Sequence, residues 1–344
     1  MKVIVHNALS ELGWNETFLR ALHNSITPSD EQLIGRVNRI DRGWSTFLCV
    51  PLGVAHENES LRESRVRNIG ADVAVGDWVL VSEDGERILC VVPRQSRLVR
   101  RASSDAMRAE AQTIAANIDV VFLVHGLDTP PNERRLEREL VLAFDSGARP
   151  VIVLTKSDTA DAGTALTSRD IITGISTGVP VHVVSSMTGE GLDALRAYAR
   201  NGETLAVLGA SGVGKSTLIN ALTGTDSQDT GAIRVADKRG RHTTTAVDLV
   251  PLPEQGWLID TPGVRAVSLW TSGHGIERAF ADIFALAEQC KFRDCKHEAE
   301  PGCAVQAAIA AGTLNTARLE SMKRLVAEEA ELEHDQLQRS RRDR

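Results

Sequence analysis

Residues 209–217 read GASGVGKST, a glycine-rich loop set between the apolar run LAVL and the stretch TLINAL. A loop of this type wraps its backbone around phosphates. Gly209, Ala210, Ser211, Gly212, Val213 and Gly214 turn N–H groups inward, and Lys215 supplies a point charge to β/γ oxygens. The Ser216 hydroxyl suits Mg²⁺, and Thr217 continues into a helix whose positive end faces the same anion. WLIDTPG (257–263) is a second phosphate-site motif, placing Asp260 at a strand end as a Mg²⁺ carboxylate and Gly263 as a backbone donor to a γ-phosphate. Between the two, RGRHTTT (239–245) offers threonines that can close over the metal. Thr244 is taken as the ligand, although spacing alone does not separate it from Thr243 or Thr245.

The base is read elsewhere. VIVLTKSD (151–158) is an apolar strand ending in Thr155, Lys156, Ser157 and Asp158. A buried carboxylate at Asp158 accepts from guanine N1–H and N2–H₂ together, whereas adenine would leave it unpaired, which favours GTP over ATP. Lys156 can lay its stem along the base, and Ser185 and Ser186 in VHVVSSMTG are placed to back the base O6. Lys215 is the expected catalytic charge. Val264 follows D-T-P-G and cannot orient a water, so slow intrinsic turnover is expected, with His242 the internal candidate for that task.

CKFRDCKHEAEPGC supplies Cys290, Cys295, His297 and Cys303 within one short window. Three thiolates and an imidazole are a closed tetrahedral zinc set with no open catalytic position. The other cysteines, Cys49 and Cys90, are isolated, and disulfides are not expected in a reducing compartment.

These residues need elements to hold them. At 344 residues with 42% hydrophobic and 25% charged content, the chain is long enough for several globular domains. No long apolar run or secretory pattern is present, so no membrane contact and a cytoplasmic location are expected. The net charge is −7, but Arg87, Arg94, Arg97, Arg100 and Arg101 form a local acid-free stretch of five positive charges. Short β-rich runs separated by turn signals between residues 34 and 99 suggest a small barrel of the OB type, with an SH3-like barrel also allowed. Beyond residue 105, apolar runs at 120–124, 151–154, 181–184, 205–208 and 257–259 alternate with helical stretches at 133–144, 192–199 and 215–222. This is the rhythm of a doubly wound α/β sheet.

The motif order is permuted: the base reader precedes the phosphate loop, the reverse of a Ras-like GTPase. Joining closely spaced termini of such a sheet produces this order. The combination of TKSD, GASGVGKST, GRHTTT, DTPG and the Cys/His window resembles the ribosome small-subunit-dependent GTPase A (RsgA) family over nearly the whole chain. Thr155 stands where guanine readers usually carry asparagine, a change that family tolerates. The resemblance implies a multidomain α/β protein: an N-terminal extension (1–32), an OB-type β-barrel that binds RNA (33–102), a circularly permuted Ras-like P-loop GTPase domain (103–270) and a C-terminal helical zinc-binding domain (271–344). It also implies Mg²⁺ with GTP, one structural Zn²⁺ on the four residues above, and a role in late maturation of the small ribosomal subunit. That subunit would be the activator, and the protein a monomer. The competing readings are a P-loop ATPase or kinase, and a zinc-containing RNA-binding protein that uses GTP only as a switch ligand.

Overall fold

The computed structural model describes residues 7–52, 61–101, 111–224, 247–253, 256–260 and 274–342. All five apolar runs of the α/β region form strands, named here with their neighbours: β8 (Val120–Gly126), β9 (Arg149–Thr155), β10 (Val181–Val183), β11 (Thr204–Gly209) and β13 (Trp257–Asp260). They lie parallel in the order β10-β9-β8-β11-β13, and β12 (Asp248–Pro251) follows antiparallel to β13 and pairs on its other side with the first N-terminal strand, Arg39 opposite Asp248. Continuous apolar runs suit these strands because both faces are covered. Val121, Leu123, Ile152, Leu154 and Ala206 face one core, and Val120, Phe122, Val151, Val153 and Leu205 face the other. The first core takes α3 (Glu133–Ser146) and α4 (Ala162–Ile175). The second takes α5 (Leu192–Arg196) and α6 (Lys215–Thr223).

The N-terminal β-rich region holds β1 (Leu33–Asp41), β2 (Trp44–Pro51), β3 (Arg62–Arg67), β4 (Trp78–Val81) and β5 (Ile88–Val91). Antiparallel pairing runs β3-β2-β1-β4-β5, and a parallel bridge from Arg67 to Arg87 brings the two ends of this path together. Two-residue periodicity sorts the side chains. Leu33, Val37, Phe47, Cys49, Val66, Val79 and Val81 fill the inside. Ile34, Val50, Trp78 and Leu80 point outward beneath α1 (Asn7–Glu11) and α2 (Glu16–Ser25), which cover them with Leu9, Leu12, Trp14, Phe18 and Leu22. The run WVLV of β4 is buried on both faces for this reason.

A ribbon of β6 (Arg97–Arg101) and β7 (Ala111–Ala116) follows, so the boundary expected at residue 102 falls between two paired strands. Of the five arginines in this basic stretch, Arg94 is not a free surface charge, which corrects the sequence expectation. Its guanidinium holds the fully buried Asp77 through two bonds of 2.8 and 2.7 Å and reaches Asp72 at 3.0 Å. Desolvation forces that pairing.

Four helices finish the described chain: α7 (His274–Ala279), α8 (Ala281–Ala287), α9 (Ala304–Ala310) and α10 (Thr316–Arg342). Their buried residues Ile276, Ile283, Val305, Leu319 and Met322, and Phe280 between α7 and α8, belong to the same core as Leu136 and Leu140 of α3. The C-terminal helices therefore share the sheet's core. No helix among the described residues is long and apolar enough to cross a membrane.

Arg36 ties the N-terminal parts together. It is 2% exposed, and it donates to the carbonyls of Leu12 (2.7 Å), Gly76 (3.2 Å) and Asn117 (2.9 Å) while lying over the Trp78 ring. Burial pushes its pKa down to about 10, so the guanidinium stays charged at neutral pH. Arg36→Met is expected to cost about 2–4 kcal/mol, because the Leu12 and Asn117 carbonyls lose their donor and the Gly76 carbonyl keeps only the Asn117 amide. Urea unfolding measures this, and limited proteolysis should show α1 and α2 cut first. An unchanged unfolding midpoint would remove Arg36 from this role.

Candidate nucleotide site and metal centre

Parallel order places the C-terminal ends of β8, β9, β11 and β13 along one edge of the sheet, where ligands of open α/β sheets bind. The glycine-rich loop leaves β11 at that edge. Gly209 has φ +153°, and a Cβ there would run into the Val124 carbonyl of β8, so only glycine lets the loop start this close to its neighbour. Ala210, Ser211, Gly212 and Val213 carry the turn, and Gly214, left-handed at φ +95°, caps α6. Lys215 curls its ammonium over the loop and donates to the carbonyls of Gly209 (3.0 Å) and Ala210. Ser216 and Thr217 open the helix, and Asp260 ends β13 beside them in the sheet order.

The candidate base reader leaves β9, separated from β11 by β8 alone. The buried Thr155 hydroxyl lies 2.5 Å from the Val213 carbonyl of the loop and 3.2 Å from the His125 carbonyl of β8. The hydroxyl's single proton goes to the nearer Val213 carbonyl, which ties the end of β9 to the glycine loop, with the His125 carbonyl of β8 close by. Lys156 follows in a left-handed conformation (φ +63°), with its Nζ 2.6 Å from Asp128 Oδ2. Asp158, expected to be a buried carboxylate, is exposed. Its Oδ1 accepts from the fully buried Ser185 hydroxyl at 2.7 Å, which fixes the carboxylate's orientation. A base edge docking on it would itself supply the desolvation. Ser185 Oγ in turn accepts from the Met187 and Thr188 amides at 3.2 and 3.1 Å, holding this loop beside the reader. The hydroxyls of Ser157 and Ser186 are buried without a hydrogen-bond partner among the described residues. His242, Thr243, Thr244, Thr245, Gly263 and Val264 lie outside the described residues.

Sequence reading missed several neighbours of this edge. Asp128 carries no motif, Met187 stands 76% exposed beside Ser186, and His125 and Glu139 form a buried pair at 2.9 Å under the base reader. Only an acid placed just past an apolar strand could have hinted at Asp128.

The metal-type cluster sits between α8 and α9. The Cys290, Cys295 and Cys303 sulfurs and a ring nitrogen of His297 all lie within 4.8 Å of one another. His297 Nδ1 is 3.6 Å from Cys290 Sγ and 3.5 Å from Cys303 Sγ. Burial, with Lys323 nearby, pushes the imidazole pKa down and favours the neutral form a metal needs. Glu300 accepts from the amides of Lys296 and Glu298 at 2.7 and 2.8 Å and braces the loop between the cysteines; these bonds hold its pKa down to about 2. The donor set and its convergence fit one tetrahedral ion.

Strand order, the glycine loop and a reader that precedes it in sequence define a circularly permuted P-loop GTPase. The family is equally plain: the chain belongs to the RsgA GTPase family, whose model matches residues 91–270. It is similar to the "Small ribosomal subunit biogenesis GTPase RsgA 2" of Lactiplantibacillus plantarum, 42% identical over 90% of this chain and 86% of that one. The protein named "Small ribosomal subunit biogenesis GTPase RsgA" in Streptomyces coelicolor is also 42% identical, over 94% of this chain and 87% of its own. Among solved structures, YloQ, titled a circularly permuted GTPase, aligns with TM-score 0.60 at 26% identity, covering 87% of this chain and 95% of that chain. YjeQ from Thermotoga maritima aligns with TM-score 0.63 at 24% identity over 87% and 99%, a likeness of fold.

Thr155→Val removes the hydroxyl and strands the Val213 carbonyl of the glycine loop. Guanine-nucleotide affinity is expected to fall roughly tenfold, with Thr155→Ser close to the parent. Fluorescent GDP titration reads both, and equal Kd values for parent and valine variant would dismiss the tie.

Proposed function

We propose that this chain hydrolyses GTP during late maturation of the small ribosomal subunit, gripping ribosomal RNA and releasing it according to its nucleotide. The observation that carries this reading is the single edge where the glycine loop, Thr155 and the Asp158–Ser185 pair converge, in a chain of the RsgA family. In this reading Asp158 accepts from the guanine N–H groups, while Lys156 and the Ser185–Ser186 loop frame the base. The loop amides of residues 209–217 and the α6 N-terminus hold the phosphates. Mg²⁺, when bound, neutralises charge between the β- and γ-phosphates, and Ser216 and Asp260, with Thr244, are the residues that would hold it. Lys215 moves from the loop carbonyls to the β/γ oxygens and neutralises charge as the terminal P–O bond breaks. Gly263 donates to the γ-phosphate, and His242 orients the water. Zn²⁺ on Cys290, Cys295, His297 and Cys303 is structural, folding the 290–303 segment.

The reading of the N-terminal strands as an OB barrel is supported by their pairing, antiparallel along β3-β2-β1-β4-β5 with the β3 and β5 ends bridged in parallel. The barrel's RNA surface is best placed on β2 and β3. Trp44 is flanked by Arg65 and Arg67, whose guanidinium carbons stand 4.9 and 5.3 Å from the ring centre, and Arg42 and Arg62 are exposed close by in sequence. An aromatic ring between cations suits an unpaired base beside phosphates. We place the extension, barrel, GTPase and zinc-binding regions at 1–32, 33–102, 103–270 and 271–344.

GTP turnover is measured with and without small ribosomal subunits, with ATP as competitor. Strong stimulation by subunits, its loss in Lys215→Ala and indifference to ATP are expected. Equal slow rates with and without subunits would instead favour GTP as a switch ligand only. Separately, Arg65→Ala/Arg67→Ala should weaken binding to a ribosomal RNA fragment. It should also flatten the plot of log K against log salt by roughly 0.7–0.9 per arginine. An unaltered salt slope would move the RNA surface elsewhere.

A further inference from the structure

Asp128 stands just beyond β8 and Lys156 just beyond β9, on adjacent parallel strands whose last paired residues are Gly126 and Thr155. The Lys156 ammonium is 2.6 Å from Asp128 Oδ2, and the two side chains are 29% and 43% exposed. Between these ends the lysine stem crosses the mouth of the glycine loop: a Cβ on Gly214 would lie 4.0 Å from Lys156 Cε. Gly126 permits the arrangement, since a Cβ there would collide with Asp128 Oδ1 as the carboxylate turns back toward the lysine. The backbone of Lys156 is left-handed, a conformation that costs a side-chain-bearing residue energy and has to be held by its surroundings.

We propose that Asp128 is a positioning residue for nucleotide binding: it anchors Lys156 so that the lysine stem forms a fixed shelf for one face of the base. The proposal rests on reading TKSD as the base reader and adds a residue to that site. An unanchored lysine samples many rotamers and gives up that freedom when a ligand orders it. Its ammonium is also free to swing toward the exposed Asp158, the group that has to meet the base edge. The carboxylate at 128 prevents both. The direction of its own titration agrees, since the bond from Lys156 holds the Asp128 carboxyl below the usual carboxylate range. The pair is half in solvent, so the effect is modest and weakened by salt.

The test is a double-mutant cycle on the full chain, read by fluorescent GDP titration and by steady-state GTP turnover. Asp128→Asn should raise the GDP Kd roughly three- to tenfold, raise KM in proportion, and move kcat less than twofold. Asp128→Glu should recover most of the affinity. In a Lys156→Gln background the same Asp128→Asn change should add almost nothing, because its effect passes through the lysine. A purely structural role for Asp128 would weaken binding equally in both backgrounds and overturn the proposal, as would an unchanged Kd in the single variant. Failure of the parent chain to bind GDP would overturn the base reading itself and this inference with it.

Discussion

The Thr155 hydroxyl, held between the carbonyls of Val213 and His125, is the contact on which the candidate site depends. It lies where β8, β9 and β11 end together, and parallel register alone brings these ends to one edge. Antiparallel alternation would leave the glycine loop and the TKSD segment on one edge but send the end of β8, with His125 and Asp128, to the opposite one. The short side chain matters as well. Gly214 packs close enough that a Cβ there would stand 3.3 Å from Thr155 Oγ1, so the base reader and phosphate loop touch through a hydroxyl and a backbone. The TKSD segment and the glycine loop are thereby fixed relative to each other before any ligand arrives, which is preorganisation in its plain physical sense.

Permutation changes what hangs from this edge. With the base-reading half first, the segment after β13 continues into helices that pack on α3. Gly275 donates to Asp145 Oδ1 at 2.7 Å, and a Cβ on it would collide with that carboxylate. Arg318 of α10, 6% exposed, bonds Asp282 twice at 2.7 Å and Glu137 of α3 at 3.0 Å, with its guanidinium over Phe280. A buried pair of this kind adds little net stability, because desolvation consumes most of the Coulomb gain. Its effect is geometric: any other docking of α10 on α3 leaves a charge buried alone.

Much of this was legible in the sequence, and the physical reasons separate what was from what was not. The glycine loop, the Asp260 strand and the Cys/His window declare themselves because their chemistry needs particular residues at fixed spacing. The parallel strands show as unbroken apolar runs because both their faces are covered. β3 escaped notice since RESRVR buries only Val66 and carries charges on its solvent side. Arg94 was counted as surface charge because its partners, Asp77 and Asp72, lie 17 and 22 positions away. Asp128 meets Lys156 across 28 positions, and Trp44 meets Arg65 and Arg67 across a strand pairing. Contacts made by register and folding back have no local signature.

Helix α3 links the β8 end of the sheet to the C-terminal helices. Glu139 pairs with His125 at the end of β8, under the base reader, and is braced by Arg135 at 2.8 Å. Two residues earlier Glu137 holds Arg318, and between them Arg138 forms a two-pronged pair with Glu328 at 2.6 and 2.8 Å. Three successive side chains on one helix thus contact the sheet edge and α10. A helix turn is stiff over this length, so a shift of the β8 end large enough to move Glu139 also displaces Glu137 and Arg138. Reorienting the C-terminal helices on α3 means giving up the Arg318–Glu137 bond, which leaves the buried Glu137 without its charged partner. Any reorientation of the helices that carry the Cys/His cluster would therefore proceed as a step between two packed arrangements rather than as gradual flexing.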